Sequence, residues 1–212
     1  MENNKKKSLI PKAALIKAWL IWETFPQTCY NYERMMGQVV AHMFSAIIGF
    51  LYKDDPSKRK EVMKREIEFF NVHIEFGSCI LGMAVALEEQ KAMGENIPGE
   101  FITNLKTSLM GPLAGMGDTI WQGVVIPILL AVCIDLTRSG SGNVWGAVIY
   151  AVVIVVAAYA LSYWNFMFGY KAGSEAIMDF LEKGILNKLI KGASIMGCIV
   201  IGGLIFKYVK AV

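Results

Sequence analysis

Five polar side chains stand in or beside apolar stretches of the sequence, where a polar group without a partner is costly. They are Asn71, His73, Glu88, Gln90 and Asp118. On insertion scales a charged residue at the centre of a membrane helix costs about 2.5–3.5 kcal/mol, so such a residue suggests a function. A carboxylate can accept two hydrogen bonds, so such a residue can bind a polar ligand. These five residues form the candidate substrate-binding set.

Asp118 lies in a segment, residues 111–127, in which glycines and two prolines stand among apolar residues. Glycine admits unusual backbone dihedrals and proline removes a hydrogen-bond donor, so we predict a broken helix inside the membrane or at its edge. In transporters, broken helices tend to carry the substrate. Two plainer interpretations remain open. The glycines can permit tight helix packing in lipid, and Asp118 can cap the helix that follows it.

His73 and the adjacent glutamates also have plainer interpretations. A single histidine is more often a neutral hydrogen-bonding residue than a titrating one. His73 with Glu75 is too short a pattern to indicate zinc binding or acid–base catalysis. Glu88 and Glu89 lie where a helix meets the polar layer, so we expect one of them to be exposed. Adjacent residues do not share a helix face, so the other can point inward.

The composition indicates an integral membrane protein. The 212 residues are 55% hydrophobic and 18% charged, with a mean hydropathy of +0.44, which is more apolar than soluble domains are. The formal net charge of +3 is too small to indicate a nucleic-acid partner. The cysteines are scattered, so we predict no disulfide and no metal or other cofactor. Lysines interrupt the first apolar run, so we predict no cleaved signal peptide.

The apolar pattern predicts an all-α, polytopic membrane helical bundle with re-entrant or broken helices and interfacial amphipathic helices. The clearest span, 144–168, is about 37 Å long at 1.5 Å per residue, enough for a hydrocarbon core of about 30 Å. A second span is expected at 124–136. The run 36–52 has basic residues on both sides, so we expect it to turn back or to lie along the surface. The other expected elements are an interfacial helix ending near residue 24, an amphipathic surface helix at 58–71, short apolar helices at 74–87 and 101–109, a cytoplasmic segment at 171–191 and a last apolar run at 193–206.

Short motifs occur in a fixed order along nearly the whole chain, from about residue 25 to about residue 204. Together they resemble the IID membrane subunits of the mannose/fructose/sorbose family of the bacterial sugar phosphotransferase system. The sequence departs from that family beside Asn71 and His73, where Val72 and Ile74 replace the expected polar residue and proline. The motifs are Asn31-Tyr-Glu-Arg-Met35, Glu68-Phe-Phe-Asn71, Ala86-Leu-Glu-Glu-Gln-Lys91, Met110-Gly-Pro-Leu-Ala-Gly-Met-Gly-Asp118 and Lys191-Gly-Ala-Ser-Ile-Met-Gly197.

The resemblance implies a single IID-type membrane domain over residues 1–212, shorter at its C-terminus than other members of the family. It implies a multi-pass subunit of the bacterial plasma membrane that contacts lipid and works with a IIC membrane subunit. The pair is expected to bind and translocate a hexose-type sugar, which a separate IIAB protein phosphorylates. IIC–IID pairs are expected to form oligomers. The chain itself is expected to have no catalytic residue.

Two other functions remain open on the sequence alone. The early end of the chain is compatible with a non-transporting membrane scaffold or receptor that has kept the fold. A membrane enzyme that uses His73, Glu75 or Asp118 is the second alternative. The sequence does not identify the sugar, the number of spans or the side of the membrane on which the chain ends.

Overall fold

The computed structural model describes residues 8–138, 144–183 and 195, and in these residues every regular element is helical. The expected apolar run at 193–206 lies almost wholly outside them. A π-helical segment, Asp118–Val125, joins α6 to α7. The all-α fold class is therefore confirmed. The α-helices are α1 (Lys12–Thr24), α2 (Gly37–Ser45), α3 (Ile48–Leu51), α4 (Pro56–Glu66), α5 (Ile74–Ala92), α6 (Gly99–Gly117), α7 (Ile126–Arg138) and α8 (Trp145–Lys183).

Two helical stretches of the described chain have the length and apolar composition needed to cross a membrane. They are Gly99–Thr137, with 39 residues, and Trp145–Gly173, with 29 residues, and they contain the two predicted spans. With 39 residues, α8 is about 58 Å long, so it extends well beyond a hydrocarbon core of about 30 Å. Helices α7 and α8 pack as an antiparallel hairpin, since Gly146 lies against Thr137 and Cys133.

The predicted break between residues 111 and 127 is wrong. Helix α6 passes through Pro112 and continues without interruption into the π-helical segment and α7. Asp118 and Ile126, at the two junctions, both have right-handed helical dihedrals. The short helix expected at 101–109 is accordingly part of this longer one. In an apolar environment the backbone N–H and C=O groups must bond within the chain. A short π-helical segment maintains these backbone hydrogen bonds where the α-helical pattern is disturbed.

The N-terminal elements follow the predicted pattern with shifted ends. Helix α1 begins after Pro11 and ends at Thr24, as expected. The run 36–52 forms the short helices α2 and α3, and neither is long enough to cross a bilayer. Helix α4 ends at Glu66, earlier than residue 71, because the chain then turns and Phe70 N donates to Arg34 O at 3.2 Å. Helix α5 continues past the predicted end, to Ala92.

Helix α5 is the centre of the bundle, and its closest neighbour is α8. The two helices run in the same direction, and their backbones touch because small residues line the contact. A Cβ on Gly82 would lie 2.1 Å from Phe166 O, and a Cβ on Gly169 would lie 2.0 Å from Cys79 O. Close approach of this kind is how helices pack tightly without bulky side chains.

We expect Gly82→Ala to destabilise the protein, because the added methyl group meets the backbone of α8 and not a flexible side chain. The cost should be about 1–3 kcal/mol, as for other overpacked cores. The measurement is the thermal unfolding midpoint in detergent. Gly111→Ala is the matched control, since a Cβ there has no atom within 4 Å. Equal midpoints for the two variants would contradict the close α5–α8 contact.

Candidate functional site

The five predicted residues do not form one cluster, because α5 separates them into two groups. Asn71 and His73 lie just before the first residue of α5, and Asp118 begins the π-helical segment beside them. Glu88 and Gln90 lie in the last turns of α5. His73 and Glu88 are 15 positions apart in the sequence, which places them about 22 Å apart along the helix.

His73 is fixed between α5 and the end of α6. The residue is 7% exposed, and its ring lies against Gly117, where a Cβ would be 2.3 Å from His73 Cγ. The Phe76 ring packs edge-on at 5.7 Å between centroids. His73 Nδ1 lies 2.9 Å from Glu75 Oε2, although no hydrogen bond is aligned between them. Only glycine at position 117 leaves room for the imidazole in this place.

Asp118 is exposed on the first turn of the π-helical segment and makes no side-chain cap. The capping interpretation is therefore wrong, because the helix does not begin at this residue. Asp118 directly follows the glycine that contacts His73. The Asp118 carboxylate is therefore one residue away from the position at which α6 contacts the His73 imidazole.

Asn71 is exposed and is joined to the loop between α1 and α2. Tyr30 Oη donates to Asn71 Oδ1 at 3.2 Å, and Met36 N donates to Phe70 O at 2.8 Å. The loop itself is a tight turn in which Asn31 Oδ1 accepts from Glu33 N and Arg34 N. These bonds attach the loop firmly to the residues preceding α5.

The same loop surrounds an open surface cavity of about 830 Å³. Its lining combines phenol rings, amide groups and the Glu33–Arg34 ion pair, in which Arg34 Nη2 lies 3.2 Å from Glu33 Oε1. Tyr32 is 98% exposed. Aromatic faces beside amide and carboxylate groups can both stack on a sugar ring and bond its hydroxyls. The lining residues are Cys29, Tyr30, Asn31, Tyr32, Glu33, Arg34 and Gln38.

Glu88 belongs to a buried ion network that joins α4, α5 and α6. Arg65 donates to Glu88 Oε1 from Nη2 at 2.6 Å and from Nε at 2.9 Å. Lys106 Nζ donates to Glu66 Oε2 at 2.8 Å. Glu66 and Glu88 are fully buried, and Arg65 and Lys106 are nearly so. Each buried carboxyl group thus has a cation as its partner, and the two pairs connect α4 with α5 and with α6.

Burial raises the pKa of Glu88 to about 7, the Glu66 carboxylate adds to this effect, and the Arg65 guanidinium opposes it.

The burial of Arg65 also corrects a prediction for α4, whose charged residues were expected to lie on the surface. The Glu61–Arg65 pair forms, at 3.2 Å, but Arg65 is 8% exposed. One sequence feature could have indicated this network. Lys106 is a lysine among apolar residues, and a buried lysine requires a carboxylate partner.

Glu89 and Gln90 hold the last turns of α5 against other parts of the chain. Glu89 Oε1 accepts from Ser8 Oγ at 2.7 Å, Leu9 N at 2.7 Å and Ile10 N at 2.9 Å. Tyr170 Oη donates to Glu89 Oε2, and Gln90 Nε2 donates to Gly173 O at 3.2 Å. The expectation that one of the two adjacent glutamates is exposed is therefore wrong. Their side chains diverge, and each is buried against a different neighbour.

Comparison with known proteins gives a consistent result. The model of the PTS system mannose/fructose/sorbose family IID component matches residues 9–212. The mannose-specific EIID component of Escherichia coli K12 is 37% identical over 184 residues, covering 86% of this chain and 63% of that protein. The fructose permease IID component of Bacillus subtilis 168 is 32% identical, with 96% and 72% covered. The chain therefore spans less than two thirds of the length of the mannose-specific relative.

A solved structure gives the same result for the fold. A chain in the cryo-EM structure of the mannose transporter ManYZ with microcin E492 matches with a TM-score of 0.83 and 33% sequence identity. The match covers 95% of this chain and 72% of that chain. The resemblance drawn from the sequence motifs is confirmed.

We expect Arg65→Ala to destabilise the protein by about 3–5 kcal/mol, because it leaves the buried Glu88 carboxylate without a counter-charge. Arg34→Ala is the matched control. It breaks the exposed pair with Glu33 and should cost no more than about 1 kcal/mol. Chemical unfolding in detergent provides the comparison. The double variant Arg65→Met, Glu88→Leu should recover much of the loss, and failure of both contrasts would argue against a buried network.

Proposed function

The chain belongs to the mannose/fructose/sorbose IID family of the sugar phosphotransferase system, and we propose that it is the subunit that translocates sugar together with a IIC partner. In this proposal the pair binds a hexose-type sugar and releases it to the cytoplasmic side, where IIAB phosphorylates it. The mannose- and fructose-specific relatives support a hexose as the substrate class.

One observation carries the proposal. The His73 imidazole lies against Gly117 at the point where α6 becomes a π-helix. Asn71 and Asp118, both exposed, lie at the same end of α5. π-Helical turns are frequent at functional sites, and polar groups on irregular helices can replace water around sugar hydroxyls. We assign Asn71, His73 and Asp118 to the sugar site.

The adjoining cavity extends the same chemistry. Tyr30 bonds Asn71 and also lines the cavity together with Asn31 and Gln38. Phenol and amide groups provide the stacking surface and the neutral hydrogen bonds that a sugar uses. Glu88 and Gln90 lie at the far end of α5. In our proposal they affect sugar binding through helix position, because their side-chain bonds go to Arg65 and to the backbone of α8.

The hairpin of α7 and α8 supports a multi-pass subunit of the bacterial plasma membrane. Its outer half leaves large apolar side chains uncovered, among them Val132, Val152 and Val156, which are 53–63% exposed. Apolar surface of this extent is suited to lipid and to a membrane partner. We propose that the IIC subunit and lipid share it, and that IIC–IID pairs assemble into oligomers.

We also propose that this chain carries no phosphoryl group and that the donor is IIAB. Burial raises the pKa of the Cys79 thiol to about 11, so it is not a thiolate at neutral pH. His73 is enclosed by Gly117 and Phe76, which leaves little room for an approaching donor protein.

We expect Asn71→Ala and Asp118→Asn to lower sugar-dependent phosphorylation about tenfold or more, because each removes or weakens a hydrogen bond to a hydroxyl group. The assay uses membrane vesicles that contain this chain, IIC and IIAB, supplied with phosphoenolpyruvate and the other components of the system. The initial rate is measured against sugar concentration.

Asn96→Ala is the control, since Asn96 is exposed in the turn between α5 and α6. It should retain the unmodified rate. If the vesicles phosphorylate sugar equally well without this chain, a transport role is excluded and a scaffold or receptor is favoured. If transport needs the chain but tolerates both substitutions, the assigned site is wrong.

A further inference from the structure

Three titratable side chains form a cluster where α1, α5 and α8 meet, and two of them are buried while Glu23 is half-buried. Glu23 comes from α1, and His73 and Glu75 lie at the start of α5. His73 is 7% exposed and Glu75 is 8% exposed. Two buried atoms in the cluster, Glu23 Oε2 and His73 Nδ1, have no hydrogen-bond partner. Buried polar atoms are normally satisfied, so two orphans in one place need a physical explanation.

The polar side chains around the cluster already form hydrogen bonds with other groups. Trp19 Nε1 donates to Ser162 Oγ at 3.0 Å, and Ser162 also bonds the Glu23 carboxyl group. Asn165 Nδ2 donates to Glu75 O at 3.1 Å. Ser78 Oγ lies 2.6 Å from Glu75 O and 2.9 Å from Ser162 O. These bonds fix the backbone around the cluster but leave Glu23 Oε2 without a hydrogen-bond partner.

Among the described residues, no lysine or arginine offsets the two carboxylates. In the described part of the chain, neither Glu23 nor Glu75 forms an ion pair with lysine or arginine. The charged or titratable groups that act on Glu23 are Glu75 and His73 from α5. On the packed elements, Tyr159 and Tyr163 of α8 contact Trp19, and the exposed His42 of α2 contacts Phe25. Two buried carboxylates beside a neutral imidazole would carry two uncompensated negative charges, a costly arrangement.

A metal ion does not resolve this imbalance. Within the described residues, no three or more His, Cys, Asp or Glu side chains are arranged to hold one. A proton requires no further ligands and no cavity. Glu23 Oε2 is a buried carboxyl oxygen without a hydrogen-bond partner, and a proton on this carboxyl group removes its charge. The proton is therefore the ligand that fits the cluster.

We propose that Glu23, His73 and Glu75 form a buried proton-binding site that holds one more proton in the folded protein than in the unfolded chain. The bound proton removes one negative charge and keeps α1 packed against α5 and α8. Its loss leaves charge repulsion at the point where the His73 ring contacts Gly117. The proposal concerns proton binding by the fold and does not depend on the proposed transport function.

The direction of the pH effect follows from the position of Glu23. Burial raises the pKa of Glu23 from 4.5 to about 7, Ser162 opposes this effect by hydrogen bonding, and Glu75 reinforces it by charge. A raised pKa in the folded state means that the folded protein binds the proton more tightly than the unfolded chain does. The resulting stabilisation is complete below about pH 4.5 and is lost as the pH rises through about 7.

The test measures unfolding of the full chain in detergent between about pH 5 and about pH 9. The cluster should raise the unfolding equilibrium constant about 10- to 100-fold over this range, and Glu88, whose pKa burial also raises to about 7, adds a separate rise. Glu23→Gln, which cannot ionise, should remove the about 10- to 100-fold share of the cluster, keep the share of Glu88, and be the more stable protein at the alkaline end. Glu33→Gln is the control, because Glu33 is an exposed glutamate with an ion pair of its own. It should follow the unmodified protein.

Infrared difference spectra of the unmodified protein give a second readout. The protonated carboxyl absorption should disappear as the pH rises through about 7, with contributions from Glu23 and Glu88. Glu23→Gln should lose the Glu23 share of this absorption, and Glu33→Gln should keep all of it. If Glu23→Gln does not fold, the titration of Glu88→Gln, in which only the share of the cluster remains, decides the matter. Absence of a titrating carboxyl band, or an unchanged pH dependence in Glu23→Gln, would overturn the proposal. Neither readout involves sugar, so a failure here is distinct from a failure of the transport assay.

Discussion

Buried charge at both ends of α5 constrains the arrangement of the other helices. At one end Glu88 requires Arg65 from α4, and Glu66 requires Lys106 from α6. A buried charge that loses its partner costs several kcal/mol, so α4 and α6 cannot move away from α5 independently. At the other end the carboxylates of Glu23 and Glu75 form no ion pair with a lysine or arginine of the described residues. The bundle thus has ion pairs across its helices at one end and, in our proposal, a bound proton at the other.

Between these ends, size rather than charge determines the packing. Glycines on α5 and α8 bring the two backbones into contact, which leaves no space for slippage along the helix axes. Among the described residues, the outer half of the α7–α8 hairpin has no such partner, and its valines are exposed. A closely packed inner bundle therefore carries an apolar hairpin, and we propose that lipid and the IIC subunit cover that hairpin.

Apolar periodicity was sufficient to predict the helical class, the two spans and the first helix. It wrongly predicted a helix break near Pro112. Sequence rules take account of the hydrogen-bond donor that proline lacks, but they do not consider that an apolar environment favours a continuous series of backbone hydrogen bonds. It also failed for Glu88 and Glu89. Position on one helix does not indicate that two different neighbours cover two different faces. The pairing of Lys106 with Glu66 depends on contacts distant in sequence, and no local pattern reports them.

The contact between His73 and Gly117 has an evolutionary consequence. Any side chain at position 117 would occupy the space of the imidazole, so the two positions are not free to vary independently. A homologue with a larger residue at 117 should have a smaller one at 73, and residues in contact commonly change together in this way. Such a lineage would lose the ring that joins the proton-binding cluster to the π-helical segment. It would thereby remove the direct contact between the buried titratable residues and the long apolar helical stretch, 99–137.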